Sequence, residues 1–138
     1  MRERLMESDS IAARNHISEL PRLSEFLSTF FARNALSTEL MSDFELALEE
    51  VFVNVVRYGY PEGGEHEIGI RLSLEDQVVE LIVEDDGVPF NPLKAPLVDL
   101  NLPLAERGIG GLGLHLVKGV MDELGHSRVA DRNRLVMR

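Results

Sequence analysis

The chain contains no cysteine, which excludes both a disulfide framework and a thiolate metal site. Basic residues are in short supply: 14 Lys and Arg stand against 24 Asp and Glu, a net charge of −10. Such a surface repels a phosphate backbone, so nucleic acid is not an expected partner. The one basic concentration, Arg128, Arg132, Arg134 and Arg138, reads as solvated arginines on an exposed hairpin. No apolar run approaches the length of a membrane span, and the opening MRERLMESDS is too polar for a signal peptide. The expected compartment is the cytoplasm. Internal repeats and low-complexity tracts are missing as well.

What remains is an ordinary globular composition, 44% apolar over 138 residues, enough for one domain over 1–138 with a substantial core. A strand is expected somewhere in the first fifteen residues. Leu20, Leu23, Phe26, Leu27, Phe30 and Phe31 recur at three- and four-residue spacing, which predicts an amphipathic helix over 19–34. A second helix is predicted over 43–57, opened by Ser42 and Glu45 as a capping box and stopped by Gly59 and Pro61. Two alternating runs follow, with Ile68, Ile70, Leu72 and Leu74 on one and Val79, Leu81 and Val83 on the other. The EDQ between them makes an antiparallel hairpin. Residues 91–107 carry three prolines and no period; a connection that long inside a compact domain is usually functional or mobile. A third helix is predicted from about Gly111 to Leu124, then two strands, HSRVA and RLVMR, around a DRN turn. This order predicts an α+β two-layer sandwich, with helices on one face of a mixed, mostly antiparallel sheet.

The segment RGIGGLGLHLV places four glycines within residues 108–113 and leads straight into apolar helix-like sequence. Glycine costs a helix about 1 kcal/mol per residue against alanine, so this backbone serves some other need. Gly108-x-Gly110-x-x-Gly113 spells a dinucleotide fingerprint, but its context fails. That motif joins the first strand and helix of a βαβ unit, with an acidic residue about 20 positions on. Here loop precedes Gly108, and only 25 residues follow Gly113. A Walker-type loop is excluded because no Gly-Lys-Ser/Thr follows. A glycine turn at a helix start still offers free N–H groups and a positive dipole end to phosphate; the competing reading is a tight loop packed under a sheet.

Two further stretches carry polar groups in apolar surroundings. EDDGVPF, residues 84–90, follows a hydrophobic strand. An Asp there can set a carboxylate at the floor of a cleft, although an isolated Asp-x-Gly is commonly only a turn. In FELALEEVFVNVVRYGY, residues Phe44, Ala47, Leu48, Val51, Phe52 and Val55 form one core face. Glu50 and Asn54 are four apart and share a strip beside it. An amide oxygen and a carboxylate at this spacing suit an Mg²⁺–phosphate, as hard ligand and base. The alternative is an exposed polar stripe. Glu49 lies about 100° away and reads as solvated surface.

In order, LEEVFVNVVRYGY, VEDDGVPFNP and ERGIGGLGLHLVK resemble the three nucleotide-binding boxes of the Bergerat-fold ATPases, shared by gyrase and histidine kinases. More narrowly the chain resembles the stand-alone serine kinases that act as anti-sigma factors in bacterial partner-switching systems, and NRLVMR is similar to their last strand. The resemblance covers nearly everything after residue 20. It implies that Asn54 is the Mg²⁺ ligand and Glu50 the general base. It assigns Asp85 to the adenine amino group, with Gly87 letting the backbone pass the base. Gly108, Gly110, Gly111 and Gly113 become the phosphate box, residues 91–107 an ATP lid, and Arg107 a lid arginine that neutralises γ-phosphate charge. Asn91 departs from the Asp this subfamily often carries after Pro-Phe. The implied activity is ATP-dependent phosphorylation of serine on a small antagonist of the STAS class. The implied second partner is a sigma factor or its analogue, and the implied assembly a homodimer. The competing reading is a non-catalytic ATP-binding interaction module.

Overall fold

The computed structural model describes residues 6–89 and 117–138. The expected loop over 91–107, with Arg107, and the glycine run 108–113 lie outside the described residues.

The N-terminal strand expected somewhere in the first fifteen residues is β1, Met6–Arg14. A 3₁₀ turn over Ile17–Glu19 leads into α1, Leu20–Arg33, with Pro21 in its first turn, where a missing N–H costs nothing. Helix α2, Thr38–Tyr58, begins a turn earlier than the sequence pattern indicates. The capping box assigned to Ser42 and Glu45 is wrong. Ser37 is the cap: its Oγ accepts from Leu40 N at 3.1 Å. The extra turn is worth forming because Leu40 and Met41 pack against the core, and Glu45 instead accepts a hydrogen bond from Ser24 Oγ on α1. A Ser37→Ala variant should therefore lose about 0.5–2 kcal/mol of stability, the usual cost of a lost N-cap. Ser42→Ala should be close to neutral, and denaturant melts of the two variants decide between the caps.

The predicted hairpin is β2 (Glu67–Glu75) and β3 (Val78–Asp85), turned by Asp76 and Gln77 at φ 50 and 66°. The second is β4 (Leu124–Val129) and β5 (Arg132–Met137), turned by Ala130 and Asp131 at φ 52 and 62°. Left-handed conformation at both central residues matches the strand twist in two-residue hairpins. The DRN turn is thus displaced toward the N-terminus, and Asn133 belongs to β5. The predicted helix to Leu124 also ends earlier. Backbone is helical over 117–120; the N–H groups of Asp122 and Glu123 then turn to the carbonyl of Arg138, at 2.8 and 3.1 Å, and Leu124 opens β4.

Strand order is β1-β2-β3-β5-β4, and every pairing among the described residues is antiparallel, in keeping with the mostly antiparallel sheet expected. One face of the sheet presents Ala13, Ile68, Ile70, Leu72, Val79, Leu81, Val83, Leu135 and Met137 to both helices. Leu23, Leu27, Phe30 and Phe31 of α1 and the predicted face of α2 meet them, with Phe31 and Phe44 rings 5.7 Å apart. This is the two-layer α+β arrangement that the periodicities predict. No described helix is long and apolar enough to cross a membrane.

Candidate nucleotide site

Strand β3 ends on Asp85, which is 1% exposed. A buried carboxylate is costly unless donors reach it, and two do. Gly87 N and Asn133 Nδ2 both donate to Oδ1, each at 2.9 Å, and the described residues bring no hydrogen bond to Oδ2. The first contact turns the chain sharply after the strand. It presses Gly87 against the end of α2, where Val88 N donates to Gly59 O at 2.9 Å. A Cβ on Gly87 would fall 2.4 Å from Gly59 O and 3.0 Å from Asp85 Oδ1. Close approach, rather than left-handed backbone, is why glycine stands here. Gly87→Ala must push the Asp85 turn away from α2, at about 1–3 kcal/mol, the scale of overpacking. A lowered melting temperature together with weakened nucleotide binding is the expected result; parental values in both would show that the contact is not needed.

Glu50 and Asn54 share α2 with Gly59. Asn54 is 1% exposed, so the exposed-stripe reading does not hold for it. Glu50 is half-buried, while Glu49 is exposed as expected. Burial raises the Glu50 pKa above its ordinary value; the neighbouring Glu49 charge adds to this and Arg57 opposes it. A carboxyl group so perturbed holds a proton more readily than a surface one, the property a general base requires. Asn54 stands five residues before Gly59, about 7.5 Å along the helix, and Gly59 O is the contact point for the Asp85 turn. The contact at Gly59 O thus joins Asp85 and Gly87 to the end of α2, the helix that carries Asn54 and Glu50.

Tyr60, just beyond α2, stacks on His66 with ring centroids 4.3 Å apart. Its hydroxyl donates to Asp86 Oδ1 at 3.2 Å, and His66 Nδ1 lies 3.4 Å from Oδ2. Burial raises the Tyr60 pKa, reinforced by the charges of Asp85 and Asp86. Burial would raise Asp86 as well, but the hydrogen bonds from His66 and Tyr60 outweigh it and hold the carboxyl below its ordinary value. Asp86 is therefore occupied, leaving Asp85 as the carboxylate available to a ligand.

Among the described residues no cluster of three or more His, Asp or Glu could hold a metal ion. The donor set suits an ion that arrives on a phosphate: Mg²⁺ keeps waters and substrate oxygens and takes only one or two protein ligands, and Asn54 supplies one buried amide. The base site likewise suits an amino-bearing ring, since Asp85 offers an acceptor beside a backbone stripped of side chain at Gly87.

Sequence reasoning missed Asn133, Arg128 and Gly59. The four C-terminal arginines are not simply solvated. Arg132 and Arg134 lie 3.7 and 3.4 Å from Glu84, and Arg138 pairs with Glu80 and Glu123 at 2.6 and 3.0 Å. Arg128 instead reaches Asn133 Oδ1 and Gly87 O, both at 3.0 Å. Asn is depleted in strands, and that was the available signal: an Asn within RNRLVM needs a reason to be there.

The model of the histidine kinase-like ATPase domain matches residues 13–138. Among curated proteins the chain is similar to "Serine-protein kinase RsbW" of Bacillus mycoides, 35% identical over 88 residues, or 61% of this chain and 54% of the relative. The proteins of the same name from Bacillus cereus and Bacillus thuringiensis are 34% and 33% identical over the same shares. The chain thus spans about half the length of the curated relatives it matches. With the family model matched over residues 13–138, nearly its whole length, this chain belongs to the histidine kinase-like ATPase domain family.

Proposed function

We propose that this chain is an ATP-dependent protein-serine kinase and anti-sigma-type regulator. It phosphorylates a small STAS-type antagonist in the cytoplasm and sequesters a sigma factor or analogue, working as a homodimer. The observation that carries the reading is Asp85, a buried carboxylate with donors on one oxygen and the other left for a ligand. The relatives' printed name supports serine as the acceptor.

Bound Mg·ATP supplies the transferable phosphoryl group and the metal charge that stabilises it. Asp85 Oδ2 accepts from the exocyclic amino group of adenine, a charged hydrogen bond of about 1.5–3 kcal/mol. Asn54 would hold the metal through its amide oxygen. By resemblance Gly108, Gly110, Gly111 and Gly113 would offer backbone N–H groups to the phosphates, and Arg107 would neutralise γ-phosphate charge. Glu50 takes the proton of the acceptor serine as its oxygen bonds to phosphorus and the bond to ADP breaks.

Incubation of the purified chain with a STAS-type antagonist and γ-labelled Mg·ATP tests the proposal. Label on an antagonist serine is the expected result. A chain whose melting temperature rises with Mg·ATP through ligand linkage, but which leaves every offered antagonist unlabelled, is a nucleotide-binding module and not a kinase.

A further inference from the structure

Three residues form one transverse row across the sheet: Asp85 on β3 pairs with Asn133 on β5, and Asn133 pairs with Arg128 on β4. The row is joined by hydrogen bonds throughout. Asn133 Nδ2 donates to Asp85 Oδ1 at 2.9 Å and to Val88 O at 2.8 Å, so both amide hydrogens are directed at acceptors. Asn133 Oδ1 accepts from Arg128 Nη1 at 3.0 Å. The same nitrogen donates to Gly87 O at 3.0 Å, and Nη2 reaches Asp131 O at 3.3 Å.

We infer that Asn133 and Arg128 are a positioning pair that dedicates Asp85 Oδ2 to the amino group of the bound base, and so sets the base selectivity of this site. The inference rests on the reading of Asp85 as the adenine acceptor. Arg128 has no acceptor lone pair, so it permits only one orientation of the Asn133 amide. Flipped, that amide would set its oxygen against Asp85 Oδ1 and Val88 O, and its NH₂ against the guanidinium. Every contact would be like against like. Held as it is, the amide joins Gly87 N in loading Oδ1 with two donors, and the carboxylate cannot rotate to present that oxygen. Arg128 also ties Gly87 O to the row, fixing the turn that carries the base floor. An Asn that is 1% exposed in a strand has little to offer a sheet by propensity. It has a great deal to offer a buried carboxylate.

The test compares ATP with purine riboside triphosphate, which keeps the ring and phosphates and lacks only the 6-amino group. Calorimetric affinities are measured for the parent chain, Arg128→Met, Asn133→Leu, Asn133→Ser and the Arg128→Met/Asn133→Leu double variant. The parent should prefer ATP by about 10-fold or more, the range of a charged hydrogen bond. Asn133→Leu should bring the ratio near unity with purine riboside triphosphate affinity unchanged, and Asn133→Ser, which keeps a donor, should recover part of it. Arg128→Met should cut the ratio about 3-fold, and the double variant should be no worse than Asn133→Leu alone, because the two act in series.

A parental ratio in Asn133→Leu and Arg128→Met, or an equal loss for both nucleotides, overturns the positioning role and leaves the adenine reading standing. A parent chain that does not distinguish the two nucleotides overturns both. Should Asn133→Leu fail to fold, Arg128→Met carries the test, since the arginine is exposed.

Discussion

Alanine at position 54 is expected to remove the Mg²⁺-dependent part of nucleotide binding and, with it, all phosphoryl transfer. Among the described residues no cluster of three or more His, Asp or Glu could hold a metal, so the buried Asn54 amide is the ligand tested. A metal clamp is worth several kcal/mol of charge stabilisation on a transferring phosphoryl group, which corresponds to at least about 100-fold in rate. The helix itself should survive. Alanine is the best helix former, and the packing of α2 rests on Phe44, Ala47, Leu48, Val51, Phe52 and Val55. The decisive measurement is ATP affinity with Mg²⁺ and with a chelator. The parent chain should lose affinity when the metal is removed, and Asn54→Ala should show the same weak binding in both conditions. A variant that still gains from Mg²⁺ as the parent does would take the metal away from Asn54.

The legible parts of the fold are those whose signal is local. Alternation is unbroken in β2 and interrupted in β3 only around Ile82, and Asp76-Gln77 tolerates the left-handed turn, so the hairpin is evident from nine or ten residues at a time. The core face of α2 follows from 3.6-residue periodicity alone. Its first turn does not, because the half-buried Leu40 and Met41 meet the core only in the folded molecule. Strand β1 is obscure for the same kind of reason. It is an edge strand held to β2 by backbone pairing from Met6↔Glu75 to Arg14↔Glu67, and only Ala13 of it is fully buried. Small and polar side chains leave little pattern when the backbone makes the contacts.

The site divides in the same way. Asp85, Asn54 and Glu50 stand out because a polar group in an apolar run is anomalous within its own segment. Asn133, Arg128 and Gly59 do not, since each touches the site through a residue 28 or more positions away in sequence: Gly59 through Gly87, Arg128 through Gly87 and Asn133 through Asp85. A turn displaced by two residues hid Asn133 completely. With DRN as the loop it would be solvated; with Ala130-Asp131 as the loop it faces the carboxylate. Register, which no single segment determines, decides whether that residue is surface or site.

Glutamine at position 50 is expected to leave Mg·ATP binding near the parental value while serine phosphorylation falls by about 10²-fold or more, the scale of general-base removal. The substitution keeps size and hydrogen-bonding capacity and removes only the ability to take a proton. Its α2 neighbours give the experiment its control. Glu49 is exposed and Glu50 half-buried, so Glu49→Gln should leave transfer close to normal. The pH dependence gives a second readout. Burial, helped by the Glu49 charge, raises the Glu50 pKa, so the carboxylate becomes protonated, and the base is lost, at a higher pH than for a surface glutamate. The acid limb of the transfer rate should therefore lie above the ordinary glutamate range, and should move down in Glu49→Gln, where one repulsive charge is gone. Residual transfer in Glu50→Gln should have no such limb. Parental transfer in Glu50→Gln would remove the base assignment, and a large loss in Glu49→Gln would transfer it to the exposed neighbour.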